Sequence, residues 1–390
     1  MSGLLDGIRI LDFSRLLPGG FATGLLADLG AEVIKIEQPG LGDYMRWMEP
    51  RIGAESAASW VIDRGKSSVA IDLKSPRGVD VVRRLARTAD AVIESFRPGV
   101  VDRLGVGYDA LREENARLVY CSISGYGQDG PLRREPGHDL NYAGRAGILS
   151  ITGAHDGLPA IPGIQVADLG GGALMALVGL LAALVRAGRT GEGEYIDVSM
   201  TDGAFALLSV HLGEYFATGV VPERERMLLN GLYPSYNVYA CADGKHLTVA
   251  AMEPRFFDAL CAAIGRPDLV STHLDPEAVP IWREVFLTRP RDEWLERCRG
   301  TEACVGPVND FAEASDDPQL RHREMVVKRD HATAGAVRQV ALPFKLRQHQ
   351  AVVGGQAPGL GESTTAFLRE AGYTDAEIED LLAQGVVSEP

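Results

Sequence analysis

An α/β fold built on a doubly wound parallel sheet, accompanied by a smaller α+β domain, is predicted by three features of this 390-residue chain. From Gly7 to Pro98, short β-branched runs alternate with longer helical ones, the pattern of a mainly parallel sheet covered on both faces. A composition of 46% hydrophobic and 24% charged residues supplies core for one large or two ordinary domains and excludes intrinsic disorder. Near residue 220 the composition changes, where VVPERERMLLNGLYPS is polar and turn-rich, and a new pattern of strands and helices begins.

The elements follow in order. IRILDF reads as a strand, FATGLLADLG as a helix, AEVIKIE and VAIDL as strands, PRGVDVVRRLARTA as a helix and AVIES as a strand. LVYCSIS and YIDVSM continue the sheet. The first turn, LLPGGFATG, joins strand to helix but lacks the G-x-G-x-x-G spacing of a pyrophosphate cradle, so Glu37 imitates a ribose-binding acid without the rest of a dinucleotide site. Beyond residue 230, YNVYACADGKHLTVAAM reads as a hairpin turning at Asp243-Gly244. FFDALCAAIG and RDEWLERCRG read as helices and EMVVKRD as a strand, followed by two short helices in STTAFLREAGYTDAEIEDLLAQG. The expected organisation is a large domain over 1–200, a linker over 201–230, a small domain over 231–330 and a C-terminal segment over 331–390.

A formal charge of −14 leaves no broad positive field for nucleic acid or an anionic membrane, so an anionic ligand must meet local positive charge. Five cysteines without C-x-x-C spacing read as reduced thiols rather than a disulfide framework or zinc ribbon. The N-terminal MSGLLDGIRILDFS does not read as a secretory signal, which makes a cytoplasmic location the expectation. The apolar run from Leu169 to Val185 reads as a buried core helix rather than a membrane span.

Asp168 precedes Gly170, Gly171 and Gly172 at the start of this helix. It suits an N-cap or first-turn position, and the bare glycines would let a ligand approach unpaired amides able to stabilise an oxyanion. His138, in EPGHDLNYAG, stands at a Pro-Gly turn before a helix, where an imidazole can exchange protons near neutral pH. Asp139 could cap that helix or orient the ring, and Tyr142 lies one turn further on. Glu253 precedes Pro254 and reads either as a first-turn carboxylate or as a partner for an imidazolium. Arg46, Lys66, Lys74, Arg97 and Arg103 stand at ends of predicted elements, and a phosphate-bearing ligand would need several to converge. Other histidines lack partners at metal-ligand spacing, so no metal is expected.

Taken together, GIRILDFSRLLPGG, LLADLGAEVIKIEQPG, RGKSSVAIDLKSPRG, ESFRPGVVDRLGVGYDAL, SGYGQDGP, GHDLNY, ADLGGGALMALVGLLAAL, ADGKHLTVAAMEPRFF and the GESTTAFLREAGYTDAEIEDL tail make the chain resemble, nearly end to end, the family III CoA transferases, and within that superfamily the α-methylacyl-CoA racemases. The resemblance implies a C-terminal segment that returns to the large domain, and an interlocked homodimer with the active site between the large domain of one chain and the small domain of the other. It implies that His138 and Asp168 are the two acid/base residues, with Glu253 hydrogen-bonded to His138. For an acyl-CoA substrate it points to Ile71, Asp72, Leu73, Lys74, Arg97, Arg103, Asp139 and Tyr142 as CoA contacts, with no cofactor beyond the CoA moiety itself.

One departure favours an alternative. Racemases of the family usually carry Arg where this chain has Gln38, and the longer insert to Arg64 looks more like the transferases, in which Asp168 would be a carboxylate nucleophile toward the thioester. In that branch the position of His138 is usually not histidine, so His138 together with Glu253 outweighs Gln38.

Overall fold

The computed structural model describes residues 3–53, 55–331, 334–348 and 355–390, and divides into two compact units. The first comprises 1–146, 163–209 and 322–390; the second comprises 147–162 and 210–321. Residues 147–162 thus group with the second unit instead of the large domain, and the strand in EMVVKRD (Val326–His331) groups with the first unit instead of the small domain.

The first unit is built on β1 (Arg9–Asp12), α1 (Leu17–Asp28), β2 (Glu32–Glu37), β3 (Ser67–Ile71), α2 (Pro76–Ala86), β4 (Ala91–Glu94), β5 (Val119–Ser124), α3 (Asp139–Ala146), α4 (Met175–Thr190), β6 (Tyr195–Ser199) and α5 (Met200–Ala206). Six strands pair in parallel in the order β3-β2-β1-β4-β5-β6, with Leu11 between Ile34 and Val92 in register. The C-terminal strand Val387–Ser388 closes the β3 edge antiparallel, as a return of the chain end to this unit requires. The central strands are buried on both faces, which explains their continuous apolar runs. This is the doubly wound sheet expected from the alternating pattern.

A buried charge network lies toward the carboxyl ends of β1 and β2. Lys35 Nζ lies 2.8 Å from carboxylates of both Asp43 and Asp63, and Lys66 Nζ lies 3.1 Å from Asp63 and 3.2 Å from Asp12. Burial alone would lower the Lys35 ammonium, but the facing Asp63 and Asp43 carboxylates override it and hold the pKa above its ordinary value. Burial would likewise raise Asp63, and the Lys35 and Lys66 charges hold it well below the usual carboxylate range. Asp43, itself buried, ties this network to the turn after β1: its carboxylate also accepts the amides of Leu16 and Met45.

The second unit contains the antiparallel strands β7 (Tyr236–Ala240), β8 (His246–Ala250) and β9 (Val305–Pro307), with α6 (Pro254–Ile264) between the last two. The hairpin turns at Asp243-Gly244 as expected, with Gly244 at φ +77°, a left-handed conformation that favours glycine. Its core gathers Tyr239, Leu247, Phe257, Trp282 and Phe286.

The long helix over Val166–Thr190 is apolar enough to cross a membrane by length and composition. It packs as a core helix along one face, where Ala176, Leu180, Ala183 and Ala187 are buried, while Leu174, Val178 and Val185 on other faces are exposed in the single chain.

Candidate active site

In an open parallel sheet, ligands settle at the carboxyl ends of the strands where the order reverses, here between β1 and β4. The loops leaving those strands carry Arg15, Leu16 and Ser95 to Pro98, and the end of β5 with the turn after it adds Ile123, Ser124, Gly125 and Tyr126. With Tyr44, Arg133, His138, Asn141, Tyr142, Asp168 and Met200 they line a cleft of about 670 Å³. A second cleft of about 820 Å³ shares Arg97, Pro98 and Arg133 with it and adds Arg103, Arg134, Tyr108, Tyr120, Gln128 and Tyr195. Four arginines thus face one cleft, the local positive charge that an acidic chain needs for a phosphate-bearing ligand.

Two consecutive residues, His138 and Asp139, organise the backbone around His138 and Asp168. The His138 carbonyl accepts the Asn141 and Tyr142 amides at 2.8 and 3.3 Å, and its own amide donates to Asn141 Oδ1 at 3.1 Å. This box fixes the backbone at the start of α3 and leaves the imidazole exposed at the cleft. Asp139 Oδ1 accepts the amides of Ala167 and Asp168 at 2.7 and 2.9 Å, so its carboxylate caps the turn that carries Asp168. Asp139 lines neither cleft, and its carboxylate is occupied by the Asp168 turn.

Asp168 is the third residue of a π-helical stretch, Val166–Leu174, that runs directly into α4. Such wide turns recur at functional sites. Half-burial, and next the Asp139 charge, push the Asp168 carboxyl from its ordinary 3.8 up to about 6, with His138 offsetting them only in part. Burial, and then Asp168, push the Tyr142 phenol up to about 12, so Tyr142 stays neutral and donates to the Gly137 carbonyl at 2.5 Å.

Several sequence expectations need correction. Gly170, Gly171 and Gly172 do not line the cleft. A Cβ on Gly171 would lie 2.5 Å from the Met200 carbonyl oxygen and 2.6 Å from the Ala204 nitrogen, and one on Gly203 would lie 2.1 Å from the Gly171 oxygen. The glycines let the π-helical stretch and α5 cross backbone to backbone, and an oxyanion role for their amides loses its support. Gly171→Ala should therefore destabilise the protein by about 1–3 kcal/mol and disturb Asp168 with it, read as a lower Tm together with a lower kcat.

Arg46 and Lys66 are not free for phosphate. Arg46 pairs with Glu37 at 2.6 Å, and Lys66 is sealed in the buried network. The same contact, with the Ser68 hydroxyl and Asp43 amide also donated to Glu37, explains why Glu37 serves no ribose. Of the expected CoA contacts, Arg97 lines both clefts, Arg103 the larger and Tyr142 the smaller. Ile71, Asp72, Leu73 and Lys74 line neither; Ile71 is buried at the end of β3, Asp72 accepts the Lys74 amide, and Lys74 is exposed.

Glu253 lies in the second unit, where its main-chain carbonyl accepts the Phe256 and Phe257 amides at the start of α6. Its carboxylate makes no capping hydrogen bond and is exposed, so the first-turn reading does not account for the side chain. Arg15, Tyr44, Phe96, Tyr126, Arg133 and Met200 were not singled out from the sequence. For Arg15 and Phe96 the readable signal was their place just beyond the ends of β1 and β4.

The family model for CoA-transferase family III matches residues 5–364. Human succinyl-CoA:glutarate CoA-transferase is 32% identical over 99% of this chain and 90% of its own length. Human α-methylacyl-CoA racemase is 34% identical over 98% of this chain and 97% of its own. The crystal structure of a CAIB/BAIF family protein from Brucella suis is similar with a TM-score of 0.83 at 28% identity, covering 95% of this chain and all of that one. With the doubly wound sheet and the cleft at its reversal point, these matches establish that the chain belongs to CoA-transferase family III.

Proposed function

We propose that this protein is an α-methylacyl-CoA racemase, interconverting (2R)- and (2S)-2-methylacyl-CoA thioesters. The observation that carries the reading is that His138 and Asp168 line one cleft in which burial pushes the Asp168 carboxyl up to about 6. Inverting a carbon acid needs two groups on opposite faces of one carbon, one taking the α-proton and the other delivering a proton, with a single proton held between them at the start. A carboxyl at about 6 beside an imidazole meets that need better than a carboxylate at its ordinary value. Arg97, Arg103, Arg133 and Arg134 form the cationic cleft for CoA phosphates.

The family resemblance adds a second copy of the chain. Exposed Leu174, Val178, Val185, Phe205 and Leu207 give the first unit an apolar surface suited to it. Glu253 of that copy would then hydrogen-bond to His138 and balance the imidazolium.

The proton inventory sets the pH dependence. kcat/KM should rise through about pH 6 as the Asp168 carboxyl ionises, and equally from either epimer, because the fixed equilibrium constant ties the two directions together. A profile flat from pH 5 to 7 would contradict this.

A second reading is favoured by Gln38, the insert to Arg64 and the similarity to succinyl-CoA:glutarate CoA-transferase. There the Asp168 carboxylate bonds to the thioester carbonyl carbon, the C–S bond breaks, CoA leaves as thiolate and an acyl anhydride forms. Incubation of one 2-methylacyl-CoA epimer with and without a panel of free carboxylic acids separates the two. The proposal expects epimerisation in both samples and no CoA on the added acids; CoA transfer without epimerisation would establish the second reading.

A further inference from the structure

Arg15 stands in the cleft of His138 and Asp168 but has no part in the proton transfer. Its guanidinium lies over two rings, 5.1 Å from the Phe96 centroid and 5.9 Å from that of Tyr44. The Ser95 hydroxyl clamps its backbone, accepting the Arg15 amide at 2.9 Å and donating to the Arg15 carbonyl at 3.3 Å. The next residue, Leu16, is at φ 61° and ψ −149°, a strained conformation for any residue but glycine, and its amide is tied to Asp43 of the buried network. Fold energy is thus spent on fixing one cation.

That cation is unmatched. Arg46, Lys35 and Lys66 nearby in sequence and structure all meet carboxylates, whereas among the described residues no carboxylate pairs with Arg15. In a chain with 53 acidic residues against 39 basic ones, an unpaired, pre-oriented guanidinium at the catalytic cleft is suited to an anion brought by the substrate. The cationic cleft already offers Arg97, Arg103, Arg133 and Arg134 for phosphates, and Arg15 does not line it.

The geometry points to Arg15 as a specificity-determining residue that receives a carboxylate on the acyl group, so that the substrates are 2-methylacyl-CoA thioesters of dicarboxylic acids. This rests on the racemase reading for the reaction but not for the recognition.

The test compares 2-methylsuccinyl-, 2-methylglutaryl- and 2-methyladipyl-CoA with their uncharged counterparts of equal length, in the wild type, Arg15→Gln and Arg15→Lys. Both kcat/KM for α-proton exchange and equilibrium affinity are read, with unacylated CoA as the reference ligand. At least one carboxylate thioester should be preferred over its uncharged counterpart by about tenfold to a hundredfold, the range of a charge-assisted hydrogen bond. Arg15→Gln should abolish the preference, Arg15→Lys should keep part of it, and CoA affinity should be the same in all three. No preference in the wild type overturns the proposal. So does a loss of CoA affinity in Arg15→Gln with an unchanged substrate ratio, which would make Arg15 a phosphate ligand. A carboxylate preference in binding, lost in Arg15→Gln, in a protein that exchanges no α-proton would uphold this inference and reject the racemase reading alone.

Discussion

Asp168→Asn is expected to lower α-proton exchange by about 10³-fold or more, within the range by which a positioned acid or base accelerates proton transfer. The amide keeps the shape of the carboxyl at the third position of the π-helical stretch but can neither take nor deliver the proton. Acyl-CoA affinity should change little, because the arginines proposed to meet the phosphates are untouched. The variant should also be more stable at neutral pH. Burial holds the folded-state pKa of Asp168 at about 6, above its ordinary 3.8, so the folded protein binds this proton more tightly than the unfolded chain. The stabilisation from that proton is complete below pH 3.8 and is lost as pH rises to about 6. Above that the ionised carboxylate weighs against folding, and asparagine removes it. Thermal unfolding at pH 5 and pH 8 checks the sign: the gain in Tm should be larger at pH 8.

The largest structural effect should come from Lys35→Met. Its ammonium is fully buried between Asp43 and Asp63, and deleting it leaves the buried Asp43 carboxylate without its ion pair and Asp63 with Lys66 alone. Breaking a buried pair from one side costs about 3–5 kcal/mol, which should lower the unfolding transition of the first unit by on the order of 10 °C. The effect should reach the cleft, because Asp43 also holds the Leu16 amide and the turn that presents Tyr44. KM for acyl-CoA should therefore rise in the surviving folded fraction, measured below the transition. A surface variant such as Arg299→Ala, whose ion pair with Glu296 is exposed, should change Tm by little.

The parallel sheet was legible because its strands are buried on both faces and α2 between them is amphipathic, so the apolar spacing changes visibly. His138 and Asp168 were legible as residues able to move protons, and Arg97 as a cation at a strand end. Other features depend on contacts that spacing does not report. The glycines after Asp168 suit both a ligand approaching the backbone and a helix crossing, and only the position of Gly203 decides for the crossing. Lys66 looked free because one of its partners, Asp12, is far away in the chain. Asp139 read as a possible cap for its own helix, yet it caps a turn that begins 28 residues later. The π-helical turn has no apolar pattern of its own, and residues 147–162 carry too little periodicity to show which unit they join.

The central claim is that His138 and Asp168 exchange the α-proton of a 2-methylacyl-CoA without a covalent intermediate. The most direct test is incubation of the purified protein with a single epimer in deuterated buffer, without any acceptor acid, following α-deuterium content and epimer ratio by mass spectrometry and chiral chromatography. The account predicts deuterium at the α-carbon and an approach to a near-equal mixture of epimers. Retention of both the α-proton and the starting configuration would contradict it.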